Sequence, residues 1–368
     1  MKFTSRIFAA LCVLFLLAGC AGISEKAVLR IGAGDDPGVD NKRVMFPPPR
    51  DGEVARYAYV GQLVGEANFV TAEPKKDTFG NILRWLAGLL AGEDKPIALQ
   101  RPQAGVVDEQ GRILVTDNSR QAIFVFDEKE GKLSVWEQAS GLTNFVSPIG
   151  IALGANGEIF VADSELGFVV RLDRAGNSLG VIGRKILQRP TGVAYDPLRR
   201  LLYVADTRAS DIKVFGLDGE LISVFAERGE VDGELNLPTF LALRGKELYV
   251  SDTMNARVQV LSAETGQPLR TIGKRGQNVG NLVRPKGVAV DGEGNVYVVE
   301  SYHDHLLVYN SKGQFLMPVG GGAGAKIGQY YLPSGVWIDA RNRVFLADTF
   351  NGRIVVFQFL GGGEESDE

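Results

Sequence analysis

His303 and His305 are the only histidines in a chain of 368 residues, and a single residue separates them. They lie with two acidic residues in the short segment ESYHDH, which begins at Glu300. Imidazole nitrogens and carboxylate oxygens are common ligands of divalent metals in proteins. Glu300, His303, Asp304 and His305 therefore form a candidate metal site, and the alternative interpretation is a polar loop that holds no ligand.

Composition narrows the chemistry further. Two histidines cannot build a three-histidine metal site, so an enzyme of this sequence would depend on carboxylates or on Ser, Thr, Tyr, Lys and Arg. The formal net charge is -4 and the isoelectric point is about 5.5. Because binding to a polyanion needs a basic surface, this charge argues against nucleic acid as a partner.

Six acidic residues recur along the chain, each at the end of an apolar segment such as LYVAD or VYVVE. Alternating β-branched and aromatic residues in these segments favour strands over helices. A carboxylate at the end of a strand can accept backbone N–H hydrogen bonds in the turn that follows. Since the acid recurs in every unit, we expect a structural role for the whole set: Asp117, Asp163, Asp206, Asp252, Glu300 and Asp348.

The segments around these acids complete a repeating unit. Each unit opens with a proline and a short apolar strand, a third strand follows the acid, and a fourth strand runs into a Gly-rich connection. Four short strands in roughly 40 to 50 residues are the signature of a β-propeller blade. The sequence thus predicts an all-β fold, a six-bladed β-propeller whose units open at Pro102, Pro148, Pro190, Pro238, Pro285 and Pro333.

The two ends of the repeat region predict how the ring closes. The last unit stops after its third strand, near Phe359, and continues into the acidic sequence GGGEESDE. An unassigned strand lies within residues 56–65, ahead of the first unit. We expect this N-terminal strand to be the outer strand of the sixth blade, since closure removes the open edges of a broken ring. The predicted propeller spans residues 55–360, and residues 361–368 form an acidic tail.

The first twenty residues resemble the signal peptide of a bacterial lipoprotein. Two basic residues precede an apolar run over residues 7–16 that is too short to cross a bilayer, and the sequence LAGC follows and ends at Cys20. This ending resembles a lipobox, which implies cleavage before Cys20 and acylation of that cysteine with chains such as palmitate. Residues 1–19 are then a signal peptide, and residues 20–54, which contain Pro and Gly, form a tether. The alanine after Cys20 favours the outer membrane.

The repeating units resemble NHL repeats. The resemblance rests on P-x-G, Y-V-A-D and N-x-R elements, which are seen most fully in the segment PKGVAVD at residues 285–291 and in Asn255-Ala256-Arg257-Val258. It covers about residues 56–360 and, with the lipobox, implies a bacterial six-bladed NHL-repeat β-propeller lipoprotein. The arginines of the N-x-R elements, Arg257 and Arg353, are expected to bridge neighbouring blades.

One helix is predicted, over about residues 77–91, between the closing strand and the first unit. Its apolar side chains fall on one stripe at helical spacing. Three roles stay open for this helix: packing on the side of the propeller, covering the central channel as a lid, or docking a partner or membrane. The residues of the stripe are Phe79, Ile82, Leu83, Leu86, Leu89 and Leu90.

Two functions follow from these features. We expect a binding or scaffold module that is lipid-anchored in the cell envelope and holds a protein, peptide or glycan partner on a loop face of the propeller. The alternative is an enzyme similar to propeller lactonases or lyases, with a divalent metal in the mouth of the channel. No other cofactor is expected.

Overall fold

The computed structural model describes residues 27–32, 44–49, 54–70 and 96–361. Within them, six antiparallel sheets follow one another along the chain, and the first strand of each sheet packs beside the first strand of the next. The first strand of the sixth sheet packs in turn against that of the first sheet, so the ring is closed. This arrangement confirms the all-β, six-bladed β-propeller that the repeats predict.

Five blades consist of four strands in chain order, from the innermost to the outermost. Blades 1 and 2 contain Pro102–Val107, Ile113–Asp117, Ala122–Asp127 and Lys132–Trp136, then Pro148–Leu153, Ile159–Asp163, Phe168–Leu172 and Ser178–Ile182. Blade 3 contains Pro190–Asp196, Leu201–Asp206, Asp211–Gly216 and Leu221–Phe225. Blades 4 and 5 contain Pro238–Arg244, Glu247–Asp252, Arg257–Ser262 and Pro268–Ile272, then Pro285–Val290, Val296–Glu300, His305–Tyr309 and Phe315–Gly321.

Blade 6 combines the two ends of the chain. Its inner three strands come from the last repeat, and its fourth is the N-terminal strand Tyr57–Leu63, which pairs antiparallel with Arg353–Phe359. The prediction that an N-terminal strand closes the ring is therefore confirmed. The Tyr57 hydroxyl lies 3.0 Å from the Tyr297 hydroxyl of blade 5, so the closing strand also contacts the neighbouring blade. The remaining strands of blade 6 are Val336–Ile338 and Arg343–Asp348.

The prediction that residues 20–54 form a tether needs a correction. Met45–Phe46 adds a fifth strand to blade 6, where the Phe46 ring packs edge-on against Phe357 at 5.5 Å. Val28–Leu29 pairs with Phe69–Val70 beyond the closing strand. Apolar residues within the predicted tether thus extend the sheet or pack against it. The Pro and Gly content of the segment gave no sign of these short pairings.

Several predicted features lie outside the described residues. They are the lipidation site Cys20, the helix at residues 77–91 with its apolar stripe, and all but the first residue of the acidic tail at residues 361–368. Four short 3-10 turns are the helical elements of the described part: Glu66–Asn68, Ala155–Gly157, Thr253–Asn255 and Thr349–Asn351. A small hairpin, Gln138–Ser140 with Thr143–Asn144, precedes blade 2. Among the described residues, no helix has the length and apolar character needed to span a membrane.

The glycine of the P-x-G element is explained by the close approach of adjacent inner strands. A Cβ atom added at Gly192 would lie 2.5 Å from the carbonyl oxygen of Thr239 in the next blade, and one at Gly287 would lie 2.6 Å from that of Ser334. Real Cβ atoms do not approach other atoms so closely, so glycine allows the inner strands of these blades to approach the next blade. Blade 4 has Phe240 at this position, and the Phe240 side chain is buried in the core.

The strand order gives the ring two distinct faces. The loops from second to third strands and the connections from one blade to the next lie on one face, which we call the connection face. The tight hairpins that join first to second and third to fourth strands lie on the other, which we call the hairpin face. Glu300, His303, Asp304 and His305 belong to the connection face, and so do both ends of the undescribed segment 71–95.

Candidate functional site

The six acids that end the second strands are almost completely buried, and each accepts hydrogen bonds from backbone N–H groups. Asp163 is typical. Its carboxylate accepts from the N–H groups of Val146 and Ser147 ahead of its own blade, at 2.8 and 3.0 Å, and from those of Glu165 and Leu166 in the next loop. Five of the acids thus join an arriving connection to the loop that leaves their strand, and Asp206 joins its connection to Lys213 of the third strand. This is the structural role that the sequence predicts.

Blades 4 and 6 add two side chains to this arrangement. Asp252 accepts a hydrogen bond from Asn255 Nδ2 and one from Arg257 Nε, both at 2.8 Å. Asp348 is bound in the same way by Asn351 and Arg353. Arg257 also donates to the Val231 and Glu234 carbonyls and to Asp232 Oδ1 in the connection that enters blade 4. Arg353 donates to carbonyls of the connection that enters blade 6 and to Gln62 Oε1 of the closing strand. The arginines therefore connect each blade to the segment arriving from the preceding one.

Blade 5 has histidines at the positions of this Asn–Arg pair. His303 aligns with Asn255 and Asn351, and His305 aligns with Arg257 and Arg353. Neither imidazole is hydrogen-bonded to Glu300. The longer Glu300 side chain instead accepts from the N–H groups of Val283, Arg284 and Tyr302, at 2.6, 3.0 and 2.9 Å.

The other members of the candidate metal loop are also engaged locally. Asp304 is buried, has φ of 56°, and accepts a hydrogen bond from the Leu332 N–H at 2.5 Å. Burial raises the pKa of its carboxyl group. His305 Nδ1 lies 2.5 Å from the carbonyl oxygen of His303. Within the part of the chain that the structure describes, no three His, Cys, Asp or Glu side chains are grouped so that they could hold a metal.

The structure reveals a set of exposed residues that the sequence analysis missed. Two positions after the buried acid, blades 4, 5 and 6 carry Met254, Tyr302 and Phe350, whose exposed fractions are 46%, 57% and 47%. The same loop position in blades 1, 2 and 3 holds Ser119, Glu165 and Arg208. An alignment of the repeats could have found these residues. The acid and the two residues after it read DTM, ESY and DTF in blades 4 to 6, and DNS, DSE and DTR in blades 1 to 3.

Further side chains enlarge the apolar surface on blades 4 to 6. Tyr331, which is 47% exposed, packs edge-on against Phe350 with ring centroids 5.5 Å apart. The Arg101 guanidinium lies 4.9 Å from the centroid of the Phe350 ring. Tyr302 packs against the His303 ring at 5.0 Å. We call the exposed set the connection-face patch: Met254, Tyr302, Tyr331 and Phe350.

The charge around the connection-face patch is positive on the side of blades 5 and 6. On blades 5 and 6, the acidic residues in the loops and in the entering connections are Glu300, Asp304 and Asp348, all of them buried. The connection that enters blade 4 differs, since it carries Glu227, Glu230, Asp232 and Glu234 close to Met254. Arg275 donates a hydrogen bond to the Met254 carbonyl at 2.7 Å, which fixes one cation at the edge of the patch. The exposed basic residues of this region are Arg101, Lys274, Arg275, Arg284 and Lys326.

Solved structures with the same fold perform different tasks. A gluconolactonase from Xanthomonas campestris superimposes with a TM-score of 0.54 at 18% identity, covering 74% of this chain and 92% of the other. Virginiamycin B lyase from Staphylococcus aureus has a TM-score of 0.52 at 13% identity, covering 72% and 86%. A Bacteroides thetaiotaomicron protein of unknown function has a TM-score of 0.57 at 15% identity, covering 71% and 70%. Likeness at these identities establishes the fold alone.

Part of the chain is similar in sequence to NHL-repeat proteins. NHL repeat-containing protein 2 from Bos taurus is 32% identical in an alignment of 155 residues that covers 33% of this chain and 21% of the relative. The chain is a six-bladed β-propeller with sequence similarity to NHL-repeat proteins. Rat peptidylglycine alpha-amidating monooxygenase is 26% identical over 214 residues of this propeller, 50% of the chain and 22% of the enzyme. The propeller thus matches about a fifth of the length of these relatives, and no family model matches it.

Proposed function

We propose that this NHL-repeat propeller is a binding module of the bacterial cell envelope that holds an acidic segment of a protein partner on its connection-face patch. The observation that carries the proposal is the row of Met254, Tyr302 and Phe350, three large exposed side chains at equivalent positions of consecutive blades. Contiguous apolar surface rimmed by polar groups marks interaction sites, and aromatic side chains supply most of the binding energy at interfaces.

Charge defines the chemistry of the partner. On blades 5 and 6 the patch is bordered by exposed cations, and the acids of its own loops are buried in backbone hydrogen bonds. A partner that brings carboxylates among apolar side chains would satisfy both features, since complementary potentials steer association and disfavour basic competitors. An acidic protein segment therefore fits this surface better than a neutral glycan.

Anchoring is the second part of the proposal. Acylation of Cys20 would hold the propeller at the membrane, with the outer membrane as the favoured location. Replacing Cys20 with serine should abolish labelling with a palmitate analogue and release the protein from the membrane fraction. A variant that still needs detergent for extraction would overturn the anchor without affecting the binding surface.

The enzymatic alternative, a lactonase-like or lyase-like propeller, requires a divalent metal in the mouth of the channel. Glu300 and Asp304 are both occupied by backbone N–H donors, which leaves the His303 ring as the most available candidate ligand of the loop. Nothing in the described geometry favours this alternative over binding. Catalysis that appears with an added divalent ion and is lost in His303→Ala would revive it.

Binding of synthetic peptides tests the surface directly. Fluorescence anisotropy should show that a peptide alternating Asp or Glu with Leu or Phe binds the propeller, and that affinity falls as salt is raised. Replacing its carboxylates with amides should weaken binding about tenfold or more, which is about 1.4 kcal/mol.

A matched pair of triple variants locates the surface. Met254→Ser with Tyr302→Ser and Phe350→Ser should lose the peptide, and the control places alanine at the equivalent residues Ser119, Glu165 and Arg208. Equal binding by the two variants, or a preference for a neutral oligosaccharide over the peptide, would overturn the proposal.

A further inference from the structure

Lys286 stands out among the residues that line the axis at the connection face. It is the middle residue of a P-x-G element, on the innermost strand of blade 5, and it is the only charged residue at this position in the ring. The equivalent residues of the other blades are neutral: Gln103, Ile149, Thr191, Thr239 and Ser334.

The backbone on both sides of Lys286 is bound to the neighbouring blades. On one side, Thr253 of blade 4 donates a hydrogen bond to the Pro285 carbonyl at 2.8 Å, and on the other the Gly287 N–H donates to the Ser334 carbonyl of blade 6 at 2.8 Å. The second strand of blade 5 covers the outer edge. Lys286 itself is partly exposed, and it lies at the connection-face end of the innermost strand, the strand that lines the axial channel.

The neutral residues at this position satisfy their polar groups within the ring. Thr191 Oγ1 donates to the Thr239 carbonyl at 2.7 Å, and Thr239 Oγ1 lies 2.8 Å from the hydroxyl oxygen of Thr253. Ser334 Oγ donates to Gln103 Oε1 at 3.2 Å.

The Lys286 ammonium is different. Among the residues that the structure describes, it has no hydrogen-bond acceptor and no acidic group within ion-pair distance. Burial and the nearby positive charge of Arg284 both lower the pKa of Lys286.

A partly buried cation without a counter-ion is unfavourable, and buried lysines are normally paired. An anion that enters the channel would remove this cost and would meet a single positive charge at the level of the inner strands. We propose that Lys286 is a binding subsite for a carboxylate group of a ligand that enters the axial channel from the connection face. This site is separate from the connection-face patch, and it does not require that the patch bind a protein.

Competitive acylation of lysines tests the subsite in the intact chain. The protein is treated with a water-soluble acetylating reagent, and the rate at each lysine is followed by mass spectrometry in sodium acetate or in sodium chloride of equal ionic strength. Lys286 should react about threefold more slowly in acetate, the effect of about two-thirds occupancy, whereas the rates at the exposed Lys274 and Lys326 should not change.

Substitution provides the second measurement. Lys286→Met keeps the length of the aliphatic side chain and removes the charge, and Lys274→Met is the matched control on the same face. Broadening of the acetate NMR signal by the protein should be lost in the first variant and retained in the second. If Lys286→Met does not fold, the acylation experiment on the unaltered chain decides.

Three results would overturn the proposal. Equal slowing of acylation at Lys286 and Lys274 would show a general salt effect. Failure of Lys286 to react in chloride, while Lys274 reacts, would show that the ammonium is already paired or inaccessible. Protection by phosphate and not by acetate would assign the site to a different anion.

Discussion

The two halves of the connection face share one loop architecture and differ in what that loop exposes. In blades 1 to 3 and in blades 4 to 6 alike, an acid at the end of the second strand is buried and accepts backbone N–H hydrogen bonds. Two residues later the halves diverge, with Ser119, Glu165 and Arg208 in one and Met254, Tyr302 and Phe350 in the other. A repeated residue therefore holds the fold, and the position that does not repeat is free to carry function.

The halves also differ in chain connectivity, because blade 6 contains the closing strand. Removing that strand should reduce the free energy of unfolding more than any other change considered. A chain that begins near Pro96 lacks Tyr57–Leu63, so it exposes the edge of blade 6 and the aromatic contacts of Tyr57 with Tyr297 and Phe359. At about 1 kcal/mol for each ladder hydrogen bond, the loss should reach several kcal/mol. Chemical denaturation measures it. A truncated chain that melts like the full one would show that blade 6 does not depend on this strand.

Replacing a buried acid should have the second largest effect, and the free energy of unfolding should fall by a similar amount in the two halves. Asp163→Ala in blade 2 leaves four backbone N–H groups without their acceptor, and Asp252→Ala in blade 4 leaves Arg257 and Asn255 without theirs. We expect each change to reduce the free energy of unfolding by about 2–4 kcal/mol. A loss confined to blade 4 would mean that the acid has a role there beyond the shared scaffold.

The sequence predicted the fold well because its signals repeat. The prolines, the P-x-G glycines and the strand-ending acids each answer a requirement that recurs in every blade, such as the close approach of Gly192 to Thr239. Closure by residues 56–65 was predictable because one strand was missing at the end of the last unit. The pairing of Met45–Phe46 was not, because a two-residue strand has no periodicity to detect.

The site was less predictable for a physical reason. Glu300 and Asp304, two of the candidate metal ligands, accept hydrogen bonds from backbone N–H groups, and the sequence does not reveal these bonds. Met254 and Phe350 were not singled out, because the sequence does not show whether an apolar residue beside a strand is buried or exposed.

Asp304 in blade 5 should make the free energy of unfolding depend on pH. Burial raises the pKa of Asp304, so the folded state binds a proton more tightly than the unfolded state does. The free energy of unfolding should then fall as pH rises from the ordinary carboxyl range through the raised value. Asp304→Asn, which tolerates the same left-handed backbone, should reduce this slope and raise the free energy of unfolding at neutral pH.

Glu247 on the hairpin face is a control for Asp304, because its pKa is shifted in the opposite direction. The hydrogen bond from Arg270 is the main cause that lowers the pKa of Glu247, so this pair adds stability above the ordinary carboxyl range and loses it as pH falls. Glu247→Gln should therefore cost stability at neutral pH, by no more than about 1 kcal/mol for a partly exposed pair. Denaturation at several pH values measures both variants. Slopes of the same sign would contradict the assignment.

The exposed residues should have the smallest effect on folding. Serine in place of Met254, Tyr302 or Phe350 removes surface side chains that contribute little to the core, so each change should alter the free energy of unfolding by about 0.5 kcal/mol or less. Thermal melting checks this. A much larger loss would make these side chains part of the scaffold and would remove the distinction between the two halves.

Site-specific photo-crosslinking tests the central claim most directly. A photoreactive amino acid is placed at one residue at a time, and envelopes of the producing cell are irradiated and resolved by mass spectrometry. Positions 254, 302 and 350 should each crosslink to the same partner through an acidic segment, and the equivalent positions 119, 165 and 208 should not. Crosslinks to that partner from blades 1 to 3, or their absence from blades 4 to 6, would contradict the account.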